Sequence, residues 1–307
     1  MATPYVTPAM LTSAPAGIAW TVIPTLTANS AEQQAQLAQV CWKATSIVDT
    51  YCRQPLRATI NTESGNGPGH PRVAVNRDTH TGTLITRRWP VTGVAAVQTS
   101  LARNFPPQWS LVPADQYKVR HPVIASAVSA PVTGPSGGNV IDVGPGYINW
   151  DYGRGGWDVL YSYGSGWPHA GLTVAATAGA TSVTVDDVTG WAGVTGFAYD
   201  STSTEAVQVT AAAATSPPVL QGTGGTVQAG PGTLTLSAPL GFAHAAGTVI
   251  SALPANAIHA AVLAATVQAL EGIDAIATQS LSGQLAGGTG ALATEVEMIL
   301  DDFRRIA

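Results

Sequence analysis

The feature that most constrains this 307-residue chain is an amphipathic stretch from about Ala31 to Tyr51 that leaves through Cys52-Arg53-Gln54-Pro55-Leu56. Leu37, Val40, Cys41, Ala44, Ile47, Val48 and Tyr51 recur at spacings of three and four, which on a helix places them along one side. Ser30 is a good N-cap, and Gln33 completes a capping box. Pro55 cannot continue the helix, so the stop is set within a few residues. Such a stripe must be covered by other parts of the same chain, and it marks the centre of a domain.

The length predicts one large or two modest domains. Only 10% of residues are charged, while Gly and Pro are abundant, as in a compact, turn-rich protein containing β-structure. If both Cys41 and Cys52 are helical, eleven residues separate them by about 16 Å of rise, beyond the roughly 7 Å a disulfide spans between Cα atoms. They read as packing thiols in a reducing compartment. No basic n-region opens the chain, prolines break residues 1–30, and no long uninterrupted apolar run follows. The expectation is a soluble protein with no membrane span. Charge is unevenly spread: residues 1–154 hold eleven Lys/Arg and seven Asp/Glu, whereas residues 155–303 hold eleven Asp/Glu and no Lys or Arg. Such polarity suggests faces that meet different partners.

Residues 1–30, with four prolines, read as an extended arm. Short strands are expected at Leu84–Thr86, Val94–Val97, Gln116–Val119, Val140–Val143, Tyr147–Trp150 and Trp157–Tyr163, a spacing that suits a β-sandwich or barrel. Asn61–His70 and Pro131–Asn139 read as loops. From about residue 171 to 253 the composition shifts to Ala, Thr, Val and Gly with alternating runs such as Ser182–Val185, Ala206–Thr210 and Thr233–Ser237, predicting an inserted all-β module. Insertion requires attachment points that lie close together on an exposed turn. A helix follows over 256–271, and a closing helix carries Leu292, Val296, Ile299, Leu300, Phe303 and Ile306, with Arg304 and Arg305 in its last turn, where they complement the dipole. The core domain is thus 31–170 plus 254–307.

Catalytic motifs are missing from the sequence. There is no nucleophile elbow, and neither Lys43 nor Lys118 follows a glycine-rich turn. His70, Asp78 and His80 match no standard metal spacing. Asp186-Asp187 and the Asp151/Asp158 pair are not selected as a glycosidase couple. No catalytic, cofactor-binding or metal-binding residue is assigned. Arg53, Arg57, Arg72, Arg77, Arg87 and Arg88 could gather on one side, for nucleic acid or for a protein partner.

Five segments in order resemble the head–tail connector, or adaptor, proteins of tailed bacteriophages, in their actinobacterial-phage branch. They are Tyr5–Leu11 (YVTPAML), Ala44–Leu56 (ATSIVDTYCRQPL), Arg88–Val97 (RWPVTGVAAV), the Gly144–Trp167 segment, similar to the family's terminal hairpin, and Glu271–Arg305. The resemblance implies an α+β fold: a helical adaptor core of the long N-terminal helix and two C-terminal helices, with a short-stranded sheet or sandwich. It implies a non-enzymatic head completion protein of the virion, assembled in the host cytoplasm. Such a protein forms a ring of about twelve copies at the capsid–tail junction. Its implied partners are the portal protein, a tail-side stopper or tail terminator, further copies of itself, and genomic DNA passing through without sequence recognition. The portal contact maps onto Glu295, Met298, Ile299, Asp302, Phe303, Arg304, Arg305 and Ile306, with Leu300 and Phe303 as apolar anchors and Arg304 and Arg305 as ionic ones. Packing of Leu292, Val296 and Leu300 on the first helix is the competing use of that helix. A carbohydrate-binding or adhesive β protein is the alternative function.

Overall fold

The computed structural model describes residues 3–13, 31–66, 73–76, 78–101, 108–120, 139–148, 157–200, 204–220, 226–274 and 293–304. Two helices, α1 (Pro8–Ser13) and α2 (Ala31–Cys52), precede β1 (Thr59–Asn66), β2 (Val73–Asn76), β3 (Thr81–Ile85), β4 (Val91–Leu101), β5 (Ser110–Leu111), β6 (Tyr117–Val119), β7 (Val140–Val143) and β8 (Trp157–Ser165). Next come β9 (His169–Gly171), β10 (Ser182–Val185), β11 (Thr195–Tyr199), β12 (Thr204–Ala214), β13 (Gly232–Leu236) and β14 (Val249–Ser251). The chain then enters α3 (Ala255–Asp274) and α4, residues 293–301.

The strands form three antiparallel sheets, ordered β1-β8-β4-β5, β2-β3-β7-β6 and β10-β13-β12-β11-β14-β9. The first two face each other across a core in which Val91, Val97, Val159, Tyr161 and Tyr163 meet Leu84, Ile141 and Val143. The six-stranded sheet closes on its own core, including Val183, Val185, Val207, Val209, Leu234, Leu236 and the fully buried Trp191. Burial alternates along β10 and β13, as period-two strands with one dry face require.

A helical adaptor core is overturned by this arrangement: 39% of the structure is strand and 24% helical, and the four helices among the described residues pack against antiparallel sheets. Part of the reason is that segments with weak local strand preference are recruited by pairing. Asn61–Asn66, expected as loop, completes β1, held along its whole length by β8 from Thr59↔Ser165 to Asn66↔Asp158. Of the Gly144–Trp167 segment, β8 lies between β1 and β4, and residues 149–156 lie outside the described residues. Tyr147 and Ile148 lie in a turn rather than a strand.

The helical layer buries Leu37, Cys41, Ala44 and Val48 of α2 with Ala257, Ile258, Ala261, Val262 and Ala265 of α3. The α3 helix is apolar over most of its circumference, with Leu263, Ala264, Thr266 and Val267 buried as well, while Asn256 and His259 are exposed. Residues 5–13 are no extended arm: Tyr5, Val6 and Leu11 are at most 1% exposed, and α1 packs on α2 and α3. Residues 1–2 and 14–30 of the expected arm lie outside the described residues.

At the module's root, β9 pairs with β14 in the register His169↔Ser251, so the chain enters and leaves side by side. The junction is a buried strand pair, not an exposed turn. Val249 and Leu253 enter the helical core, while Ile250 and Ala252 enter the module's core. One strand therefore serves as a wall for both.

Candidate interface around the long helix

The sequence-derived stripe on α2 divides on folding. Leu37, Cys41, Ala44 and Val48 are at most 2% exposed, Val40 and Tyr51 are partly buried against the same core, and Ile47 is 40% exposed. Cys41 and Cys52 are free, buried thiols pushed up to about 12 by burial. The helix ends in a Schellman motif, with Gln54 N–H donating to the Asp49 carbonyl at 3.1 Å and Arg53 N–H to that of Thr50 at 3.2 Å. Arg53 takes the left-handed position (φ 55°) that glycine more often fills.

The turn into the sheets is organised by Tyr5, which sequence reading placed in an arm. Its hydroxyl donates to Asp49 Oδ1 at 2.5 Å and accepts the backbone N–H groups of Leu56 and Arg57 at 2.8 and 3.1 Å. Its own N–H reaches Thr45 Oγ1 at 3.0 Å. Burial first, and then Asp49, hold the phenol well above its ordinary range; burial likewise raises the Asp49 carboxyl. The ring meets that of His169 edge-on at 5.3 Å. His169 Nε2–H donates to the Pro4 carbonyl at 3.0 Å, an acceptor only, so Nδ1 accepts from Ser251 Oγ at 2.9 Å. Nearby, Asp186 accepts Thr3 Oγ1 at 2.8 Å and Gly171 N–H at 2.7 Å. Residues 3–6 thus tie the exit of α2 to the root of the module.

On the C-terminal segment the structure separates the proposed contact residues. Val296, Leu300 and Phe303 are buried, and the Phe303 ring lies edge-on to Trp167 at 5.7 Å, so Leu300 and Phe303 are core residues and not anchors for a partner. Ile299 is partly buried against the same core. Met298 is 65% exposed, and Glu297, Asp301 and Asp302 are exposed beside it. Glu295 approaches His259 Nε2 at 3.8 Å, and Asp301 Oδ1 accepts the Tyr51 hydroxyl at 2.8 Å. Arg304 lies beyond the helix, which stops at residue 301; it caps the Tyr51 ring at 5.3 Å rather than the helix dipole. Arg305 and Ile306 lie outside the described residues.

The opposite side of α2 carries a second feature. Trp42, Ser46 and Asp49 recur at four and three residues, about half a helical turn away from the Tyr51 side. With Arg53, Gln54, Arg57 and Arg88 they line an open cleft of about 540 Å³. The scattered arginines of the sequence thus converge in part: Arg53, Arg57 and Arg88 come together here. Arg87 is exposed elsewhere, its backbone N–H held by Glu63 at 2.9 Å, and Arg72 and Arg77 lie outside the described residues. Gln54 is 4% exposed; its Oε1 accepts the Trp89 N–H at 3.1 Å, while Nε2 and the buried Arg57 Nη1 have no hydrogen-bond partner. The sequence signal for this cleft was present in the Arg53-Gln54-Pro55-Leu56-Arg57 exit, but Arg88 is brought in only by tertiary structure.

Other candidates resolve as structural groups. Asp187 accepts the Thr189 and Gly230 N–H groups at 2.9 and 3.1 Å, and with Asp186 committed at the N-terminal tie the pair is not a sugar-cleaving couple. Trp167 and Trp191 are buried and present no sugar platform. Among the described residues no three His, Cys, Asp or Glu side chains cluster as metal ligands, and none of their helices is long and apolar enough to cross a membrane. Comparison with family models, with curated proteins and with solved structures returns no match for this chain.

Proposed function

We propose that the protein is a structural subunit of a phage head–tail connector ring. One observation carries this reading: the two sides of α2 present surfaces of opposite charge. Exposed Glu297, Asp301 and Asp302 stand on the side covered by α4, and the arginine cleft opens on the other. Complementary but non-identical patches on opposite sides of one subunit give a head-to-tail contact, which closes into a ring when each copy is rotated by a fixed fraction of a turn. The ordered segment resemblance supplies the context, with the portal above and a tail-side protein below. The excess of acid in residues 155–303 suits a lumen that repels passing DNA.

The test is negative-stain electron microscopy of the full chain, alone and mixed with the portal protein of the same virion. Rings of about twelve copies, free or seated on portal, are expected. A protein that stays monomeric under both conditions refutes the proposal. Truncation of residues 295–307 is the wrong perturbation, because it removes Val296, Leu300 and Phe303 from the core. The surface substitution Met298→Glu tests portal contact without that loss.

A further inference from the structure

We propose that the cleft on the outer side of α2 is a carboxylate-binding socket, and that its occupant is the acidic C-terminal face of a second copy of this chain. The proposal rests on the ring reading and names the residues that would make its repeated contact.

Three guanidinium groups, from Arg53, Arg57 and Arg88, share the cleft with one carboxylate, Asp49, which leaves it with an excess of positive charge. Asp49 is itself engaged, accepting the Tyr5 hydroxyl and the Leu56 N–H on Oδ1. The second observation is independent of charge: Gln54 Nε2 and Arg57 Nη1 are buried donors without partners. A buried donor left unmade costs about 1–3 kcal/mol; both atoms belong to residues that line the cleft, and each lies beneath its surface. The ligand that suits this arginine-rich lining is an anionic oxygen pair, which a guanidinium fork holds by two N–H bonds.

Among sources of such oxygens, the chain's own α4 face fits best. Glu297, Asp301 and Asp302 are exposed there; Arg304 Nη1 approaches Asp301 Oδ1 at 3.7 Å, and the three carboxylates against that one guanidinium leave the face acidic. The face cannot reach the cleft of its own subunit, because Asp301 is held at Tyr51, on the far side of α2. It can reach only the cleft of a neighbour. A nucleic-acid backbone fits less well, since the cationic groups are gathered in one socket with a carboxylate on its wall and do not form a stripe along which phosphates could run.

The experiment uses two charge-reversed full-length chains, Arg53→Glu/Arg88→Glu and Glu297→Lys/Asp302→Lys, none of which carries a core side chain. Sedimentation velocity over a concentration series is expected to show self-association of the wild type. Each variant alone should associate at least ~tenfold more weakly, and an equimolar mixture of the two should regain association through two contacts, the unaltered acidic face of one variant in the unaltered cleft of the other and the charge-swapped pair. Circular dichroism melts establish that the variants are folded; if a reversal unfolds the chain, Arg53→Gln/Arg88→Gln replaces it and should weaken association in the same direction. A wild type that never associates, variants that associate as the wild type does, or a mixture that does not recover each overturns the socket. So does binding of a short DNA duplex that is lost in the arginine variant while self-association is unchanged. The two readings fail separately: rings that survive both reversals sink the socket alone, and charge-dependent association that stops at open chains sinks the closed ring alone.

Discussion

The root of the module makes stability depend on pH through one side chain. His169 is 5% exposed, donates from Nε2 to the Pro4 carbonyl and accepts from Ser251, which in turn takes the Leu253 N–H at 3.1 Å. Burial pushes its pKa down from 6.5 to about 4; the Pro4 hydrogen bond and the charges of Asp186 and Asp187 oppose the shift, and Arg57 adds to it. The folded chain thus holds His169 neutral, while the unfolded chain takes up a proton near pH 6.5. Its contribution is fully present above that value and is lost as the pH falls, by about 2 kcal/mol at pH ~5 and about 3 kcal/mol once the pH is below 4. Urea denaturation of wild type and His169→Asn between neutral and acid pH measures this. The variant loses packing at neutral pH, but its stability should fall less steeply, so the two curves converge on acidification. The interval from pH 6.5 down to about 5 is the informative one, because Glu205, held low by the Gly241 N–H and His244, contributes only at more acid values. Parallel curves across that interval would refute the assignment of His169 as a buried neutral group.

Three further outcomes follow from packing and geometry. Tyr5→Phe removes the acceptor of the Arg57 N–H, one of the two acceptors of the Leu56 N–H and the donor to Asp49, and should cost about 2–3 kcal/mol in chemical denaturation. Gly166→Ala should cost on the order of 2–4 kcal/mol, since Gly166 has φ +89° and an added Cβ would stand 2.5 Å from the Arg57 carbonyl oxygen. Leu300→Ala should destabilise by about 3 kcal/mol while the neighbouring Met298→Ala changes stability by less than about 0.5 kcal/mol, a contrast that thermal melts resolve.

What could be read before folding was what a single segment decides for itself. The stripe from Leu37 to Tyr51 is a 3.6-residue pattern ended by Pro55, and the helix observed, Ala31–Cys52, differs from the expected one by a residue. Ser182–Val185 is a strand because its alternation is complete within four residues. What could not be read was decided by partners far away in sequence. Asn61–Asn66 has the composition of a loop, yet β8 supplies a full set of backbone partners a hundred residues on. The extent of burial of Ala-rich α3 is also set by its surroundings, because alanine is indifferent between core and surface. The candidate site divides in the same way. Arg53 and Arg57 are neighbours at the exit of α2, whereas Arg88 and the unpaired state of Gln54 Nε2 depend on tertiary structure. The resemblance implied Phe303 as an anchor for a partner, and Trp167, 136 residues away in sequence, takes it into the core instead.

The shift in composition near residue 171 suggested a unit that could be lifted out, but the root of the module argues otherwise. Neighbouring residues of β14 point into different cores, Val249 to the helices and Ile250 to the module, so neither core is closed without that strand. Thr3 holds Asp186 from the N-terminal side, and His169 holds the Pro4 carbonyl from the module side. The few residues before α1 are therefore shared by the sandwich entry, the long helix and the inserted sheet. A change of texture along a chain records where one pattern of side chains stops. Which parts fold together is set by where the buried faces and the buried hydrogen bonds are completed, and here they are completed across that boundary.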